Sequence, residues 1–200
     1  MKDNAIRIQD MTKVVEGMEI FSHFDFFVRR GEKIFVYASL TKGKTLLFKI
    51  ILGLIKPDSG KVEVLNVDPY KVNIRKSIGF FTMPPLLVEN RSVFLNMKMV
   101  LESLGKKNDI DMYLEIFGLQ KIKNRKVKHL SFREKILLCI VREIVKMPEI
   151  LILDDPFPFM SDYEINKLFS FLQNTDITFI AGTTRYDLKK EKIDFREVNL

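Results

Sequence analysis

The stretch from Lys33 to Gly53 reads K-I-F-V-Y-A-S-L-T-K-G-K-T-L-L-F-K-I-I-L-G, and few folds accommodate it. An apolar, β-prone run, Ile34-Phe35-Val36-Tyr37, enters a tight turn carrying Thr41-Lys42-Gly43-Lys44-Thr45. A helical pattern follows, with Leu46, Leu47, Ile50, Ile51 and Leu54 expected on its buried side. Strand, loop and helix in this order form the setting of a phosphate-binding loop. The first amides of a helix lack intrahelical partners and its start carries partial positive charge, so an anion satisfies both. The spacing is that of G-x-x-x-x-G-K-[ST], with Ala38 in place of the first glycine. On this reading Ser39, Thr41, Lys42, Gly43, Lys44 and Thr45 hold phosphates. Lys44 reaches the β/γ-phosphates, and the Thr45 hydroxyl sits on Mg²⁺. Gly-Lys-Thr alone recurs by chance in many chains; the flanking strand and apolar helix give it weight.

The rest of the chain alternates short strand and helix patterns. Strands are expected at Ala5 to Gln9, Ile20 to Arg29, Lys33 to Tyr37 and Lys61 to Leu65. Further strands are expected at Ile78 to Thr82, Ile150 to Leu153, Ile177 to Ala181 and Phe195 to Leu200. Helical spacing covers Ser92 to Leu104, Asp109 to Phe117, Glu134 to Met147 and Asp162 to Leu172. Ser131 and Glu134 form a capping-box pattern ahead of the third of these. Ile150-Leu151-Ile152-Leu153 is a continuous apolar run of the kind found in central parallel strands, and it stops at Asp154-Asp155. No repeat, low-complexity stretch or linker interrupts the pattern, so one α/β domain over residues 1–200 is expected.

Composition narrows the function classes. At 46% apolar residues the chain can bury a sizeable core. No apolar run approaches the ~20 residues that span a bilayer, and the first residues lack a signal-peptide pattern. The single Cys139 excludes an internal disulfide and fits a reducing compartment, which makes a cytoplasmic chain the expectation. The net charge of +7 is scattered, with short clusters at Lys121 to Lys126 and Arg185 to Lys192, and reads as a solvated basic face.

With these elements in place, the chain resembles the nucleotide-binding domain of ABC transporters from Ile6 to about Asp187. Thr45 to Val64 matches the helix and strand after the family's phosphate loop nearly residue for residue. Leu130-Ser131-Phe132-Arg133-Glu134 falls where the signature L-S-G-G-Q/E belongs, and Ile150 to Pro156 where the Walker B strand belongs. The resemblance implies a P-loop NTPase fold of ABC ATPase type. That fold is a mixed, mostly parallel sheet core, an N-terminal antiparallel β subdomain and a small helical subdomain at about residues 85–147. It also implies ATP and Mg²⁺ as ligands, with Thr45 and Asp154 on the metal and Asp155 as the catalytic carboxylate. Implied partners are a transmembrane permease-type subunit and a second cassette, as homodimer or heterodimer, at the inner face of the cell membrane.

The motif letters depart from the family at several points. Val15 stands near the adenine-stacking aromatic, and Met83 replaces the Q-loop glutamine. Phe132 and Arg133 replace the signature glycines, and Asp155 is one methylene shorter than the catalytic glutamate. Thr184 stands for the switch histidine, and Ser161 or Asp162 for the D-loop aspartate. Three readings follow. The first is an ATP-binding subunit of a membrane complex, and the second a pseudo-ATPase that scaffolds or regulates such a complex. The third, motivated only by the basic charge, is a soluble nucleic-acid-associated protein; no zinc module or long basic arm supports it, so no nucleic acid is expected. Plainer roles compete at single positions. Lys44 and Thr45 could be an inherited loop that no longer holds nucleotide, and Asp154 a strand-end cap. His23 and His129 match no ligand spacing, Cys139 reads as core, and Phe157 and Phe159 as core or a partner surface.

Overall fold

In the computed structural model, residues 4–38, 41–184 and 195–200 are described, with only the backbone at 41 and 42. Strand β1 (Asn4–Val15) lies between β2 (Met18–Arg29) and β4 (Ser59–Val64) in an antiparallel three-stranded sheet. β1 runs well past the expected Gln9. Its register shifts between Ile8 and Met11, and Asp10 and His23 take positive φ values of 50° and 46°. Such bulges break the period-two alternation without ending the ladder, which is why the sequence pattern stops early. At Gly60 (φ 90°), a Cβ would stand 2.5 Å from the Asp10 carbonyl oxygen, so only glycine lets β4 pass this close to β1.

The second sheet comprises β3 (Lys33–Tyr37), β5 (Ile78–Phe81), β6 (Ile150–Asp154), β7 (Thr178–Thr183) and β8 (Arg196–Asn199). Its order is β5-β6-β7-β3-β8, and every described pairing is parallel. Alternate side chains feed two cores. Ile34, Val36, Ile152 and Ile180 join Leu47, Phe48, Ile50 and Ile51 of helix α1 (Thr41–Ile51) and the inner face of the antiparallel sheet. Phe35, Leu151, Leu153 and Phe179 face the other way, onto α4 (Phe132–Ile144) and α5 (Asp162–Gln173). Burial on both faces explains the unbroken apolar runs in sequence. Phe35, Phe157 and Phe169 meet edge to face with ring centroids 5.8–5.9 Å apart, an arrangement that adds to their burial. Helices α2 (Val93–Ser103) and α3 (Ile110–Ile116) lie between β5 and α4 in the chain and bury Met97, Leu101 and Leu114 in the second core.

The bounds expected for the phosphate-loop turn, α1 and α4 need correction, whereas Cys139, His23 and Phe157 lie as the core and surface readings expected. The segment Thr41 to Thr45 is already helical, so the turn after β3 is shorter than the motif suggested. Leu54 is 51% exposed because α1 ends at Ile51 and Gly53 (φ 68°) turns the chain. α4 begins at Phe132, directly after its Ser131 cap, and stops at Ile144; Met147 has φ 46°, outside helical geometry. Phe157 is wholly buried and offers no surface, whereas Phe159 is partly exposed. Cys139 is core, and burial pushes its thiol up to about 11. His23 lies at the surface, its Nδ1 2.6 Å from an Asp10 carboxylate oxygen.

Candidate functional site

The carboxyl ends of β3, β5, β6 and β7 open on one edge of the parallel sheet, where crevices in such sheets bind ligands. α1 starts there. Lys44 is 2% exposed, and its side chain runs over Gly182 of β7, where a Cβ would lie 3.1 Å from Lys44 Cδ. The Lys44 ammonium has no hydrogen-bond partner among the described residues. A buried cation without a hydrogen-bond partner is costly, and an anion from outside the chain would relieve that cost.

One residue on, the Thr45 hydroxyl donates to Asp154 Oδ2 at 2.6 Å. The parallel register sets Phe81 beside Leu153, so Thr82 follows beside Asp154, where its hydroxyl favours the charged form of that carboxyl. Burial raises the Asp154 carboxyl above its ordinary value. The neighbouring Asp155 charge adds to this, while Thr45, Lys44 and Thr82 oppose it. A carboxyl held above its unfolded value adds stability below that value and loses it as pH rises through the folded one. Ligand-free wild type should therefore lose more stability than Asp154→Asn as pH rises from about 4. Parallel Tm–pH curves for the two proteins would contradict this assignment.

Asp155 follows with φ 52°, a left-handed conformation that short polar residues tolerate. Its amide donates to the Gly182 carbonyl at 3.0 Å. Its Oδ1 is buried with no partner among the described residues. The kink turns the carboxylate into a cleft of about 440 Å³ that also holds Lys44, Thr45, Thr82, Met83, Asp154 and Phe159.

A second cleft, of about 640 Å³, adjoins the first at Thr45 and Lys49 and is walled by Val14, Val15, Ile20, Leu46 and Ile55. Asp58 fixes its outer wall, accepting from Lys13 Nζ at 2.8 Å and from the Val14 amide at 2.7 Å. These two bonds hold the Asp58 carboxyl below its ordinary value. A larger cavity of about 730 Å³ opens at the opposite edge, near Arg30, Glu149 and Asp176. It has no buried unpartnered group, and Arg30 is already bonded to Glu149 at 2.9 Å. The chemistry belongs to the smaller clefts.

Thus Lys44, Thr45, Asp154 and Asp155 come together in one cleft. Gly43 lies in the first turn of α1, where a Cβ would come 3.8 Å from Leu200 Cδ1. Ser39 falls outside the described residues, and Thr41 and Lys42 are placed only as helical backbone. Val15 lines the aliphatic cleft without a ring to stack. Phe132, 50% exposed, meets Phe159 edge to face at 5.5 Å, and Arg133 forks onto Glu164 at 2.8 and 3.0 Å. Ser161 caps α5, and Thr184 is exposed beyond β7. Sequence reasoning missed Thr82 and Lys49 as cleft residues. Thr82 becomes visible once β5 and β6 are paired in register, and Lys49 lies four residues beyond Thr45, on the same helix face.

Thr45 and Asp154 could hold a magnesium ion jointly. No group of three or more His, Cys, Asp or Glu side chains suited to a metal occurs among the described residues. Two protein oxygens suffice for Mg²⁺, which usually keeps waters and phosphate oxygens as its other ligands. The residues present therefore fit both a phosphate and its magnesium.

Comparison with known proteins gives the same direction. The family model described as ABC transporter matches residues 21–158. The bacitracin transport ATP-binding protein BcrA of Bacillus licheniformis is 34% identical over 158 residues, covering 76% of this chain and 51% of that protein. The spermidine/putrescine import ATP-binding protein PotA of Mycoplasma mycoides is 31% identical over 192 residues, covering 90% and 54%. The chain thus spans about half the length of these curated relatives. A solved ATP-binding subunit of an ABC transporter superposes with a TM-score of 0.84 at 18% identity, over 98% of this chain and 85% of that one. A dimeric ATP-binding cassette solved with ADP and Pi gives 0.79 at 19% identity, over 92% and 89%. With the family model matching across the phosphate loop and both strand-end aspartates, this chain belongs to the ABC transporter family and is one of its ATP-binding cassettes.

Proposed function

We propose that this chain is the ATP-binding subunit of an ABC-type membrane complex, holding Mg-ATP at the start of α1. The observation that carries the reading is the buried, unpartnered Lys44 ammonium beside the Thr45–Asp154 bond. Lys44 neutralises phosphate charge, while Thr45 and Asp154 offer the two oxygens for a cation. Magnesium, when bound there, would draw charge from the phosphate oxygens being transferred. Asp155 is the group placed to orient or deprotonate a water, its buried Oδ1 having no competing donor among the described residues. Among these residues no helix is long and apolar enough to cross a membrane. In this reading a permease-type partner spans the membrane, with this chain peripheral on the cytoplasmic face. A related protein, cbiO1 of Clostridium perfringens, is described as part of a transporter complex and shares the fold at a TM-score of 0.77. Pairing with a second cassette, identical or different, completes the proposed assembly.

A second reading, a pseudo-ATPase that binds nucleotide without efficient turnover, draws on the same cleft. Met83 brings a thioether where a polar group would position water, and Thr184 is exposed at the end of β7. Losing one group that acts at the transition state commonly costs ~10²–10³ in rate. Purified protein should gain several degrees in Tm with saturating Mg-ATP; no shift would remove the nucleotide reading. Steady-state phosphate release above that of Asp154→Asn then identifies an ATPase, and release equal to it identifies the pseudo-ATPase.

A further inference from the structure

The phosphate cleft and the aliphatic cleft share two lining residues, Thr45 and Lys49. Thr45 is engaged with Asp154. Lys49 is exposed, and no ion pair or hydrogen bond of its side chain occurs among the described residues. Several other lysines are engaged: Lys13 with Asp58, Lys123 with Asp111 and Lys135 with Glu89. Lys49 therefore presents an uncommitted cation at the neck between two clefts, one turn of α1 beyond Thr45.

The two walls explain what a cation there would do. Val14, Val15, Ile20 and Ile55 give a base apolar contact but no aromatic face to stack on. Polar grip on a nucleotide must then come mainly from its phosphates. A nucleotide with its base between these walls and its outer phosphates at Lys44 passes the neck at the phosphate attached to the sugar. We propose that Lys49 grips that sugar-proximal phosphate and sets nucleotide affinity together with Lys44. The inference rests on the nucleotide reading above and adds one binding residue to it.

The test is calorimetric titration of ADP and, separately, of inorganic pyrophosphate, with EDTA present to remove metal. Wild type, Lys49→Met, Lys49→Arg and Lys44→Met are compared, with ligand-free Tm confirming that each folds. Losing one charge-assisted hydrogen bond should weaken ADP about tenfold in Lys49→Met. Pyrophosphate has no sugar to place it across the neck, and its affinity should change less than about twofold. Lys49→Arg should retain most of the ADP affinity, and Lys44→Met should weaken both ligands. Unchanged ADP affinity in Lys49→Met overturns the proposal while leaving the nucleotide reading intact. Equal weakening of ADP and pyrophosphate also overturns it, because that is the signature of a diffuse field. Should wild type bind neither ADP nor Mg-ATP, the nucleotide reading fails and this inference with it.

Discussion

Lys44→Met should raise the melting temperature of the ligand-free protein and abolish its response to Mg-ATP. The opposite signs come from one cause. Lys44 is 2% exposed and its ammonium has no hydrogen-bond partner among the described residues, so the empty fold carries a buried charge eased only by the nearby Asp154 carboxyl. Methionine has nearly the same shape, keeps the stem's passage over Gly182, and removes the charge. A gain of about 1 kcal/mol, or ~2–4 °C at this size, is expected without ligand. Wild type at a hundred times its dissociation constant gains ~2.7 kcal/mol from bound nucleotide. The variant should gain almost none, so the two melting curves cross as nucleotide is added. A variant less stable than wild type without ligand would show that the ammonium is satisfied within the fold.

Gly182→Ala should be costly although it adds one methyl group. A Cβ there would stand 2.9 Å from Phe48 Cε2 and 3.1 Å from Lys44 Cδ. Phe48 is fully buried, and Gly182 lies on a central strand, paired with both Val36 and Asp154. Neither neighbour can retreat without disturbing the core, so overpacking should cost ~1–3 kcal/mol. Lys44 is the more flexible of the two and should be displaced first. Nucleotide affinity should thus fall along with stability, by up to about tenfold. Denaturant unfolding and ADP titration of the same variant measure both. Loss of stability with unchanged affinity would show that Phe48 alone absorbs the clash.

These two positions also show what the sequence could and could not disclose. The convergence of Lys44, Thr45 and Asp154 on one cleft was readable because the Gly-Lys-Thr turn and the strand-end aspartates sit in recognisable local patterns. The central strands were readable because burial on both faces leaves unbroken apolar runs, as in Ile150 to Leu153. Gly182, Thr82 and Lys49 carry no local signal. Their roles arise from the register of β6 with its neighbours and from the helix face that α1 turns to the clefts. The far half of β1 was hidden by its bulge, and the early start of α1 by a loop motif that reads as a turn. Phe157 and Phe159 were left between core and surface because an aromatic after a strand-end aspartate looks the same in sequence whether it packs inward or outward; Phe157 packs inward.

The serine-led starts of α4 and α5 have an electrostatic consequence. In each, the serine hydroxyl accepts from the third amide while the glutamate of that residue folds back to bond the serine's own amide. Each helix therefore brings its own negative charge to its positive pole. The first turn of α1 contains no acidic residue. A multiply charged anion that reaches the start of α1 therefore meets a helix dipole that no carboxylate of that helix has already engaged.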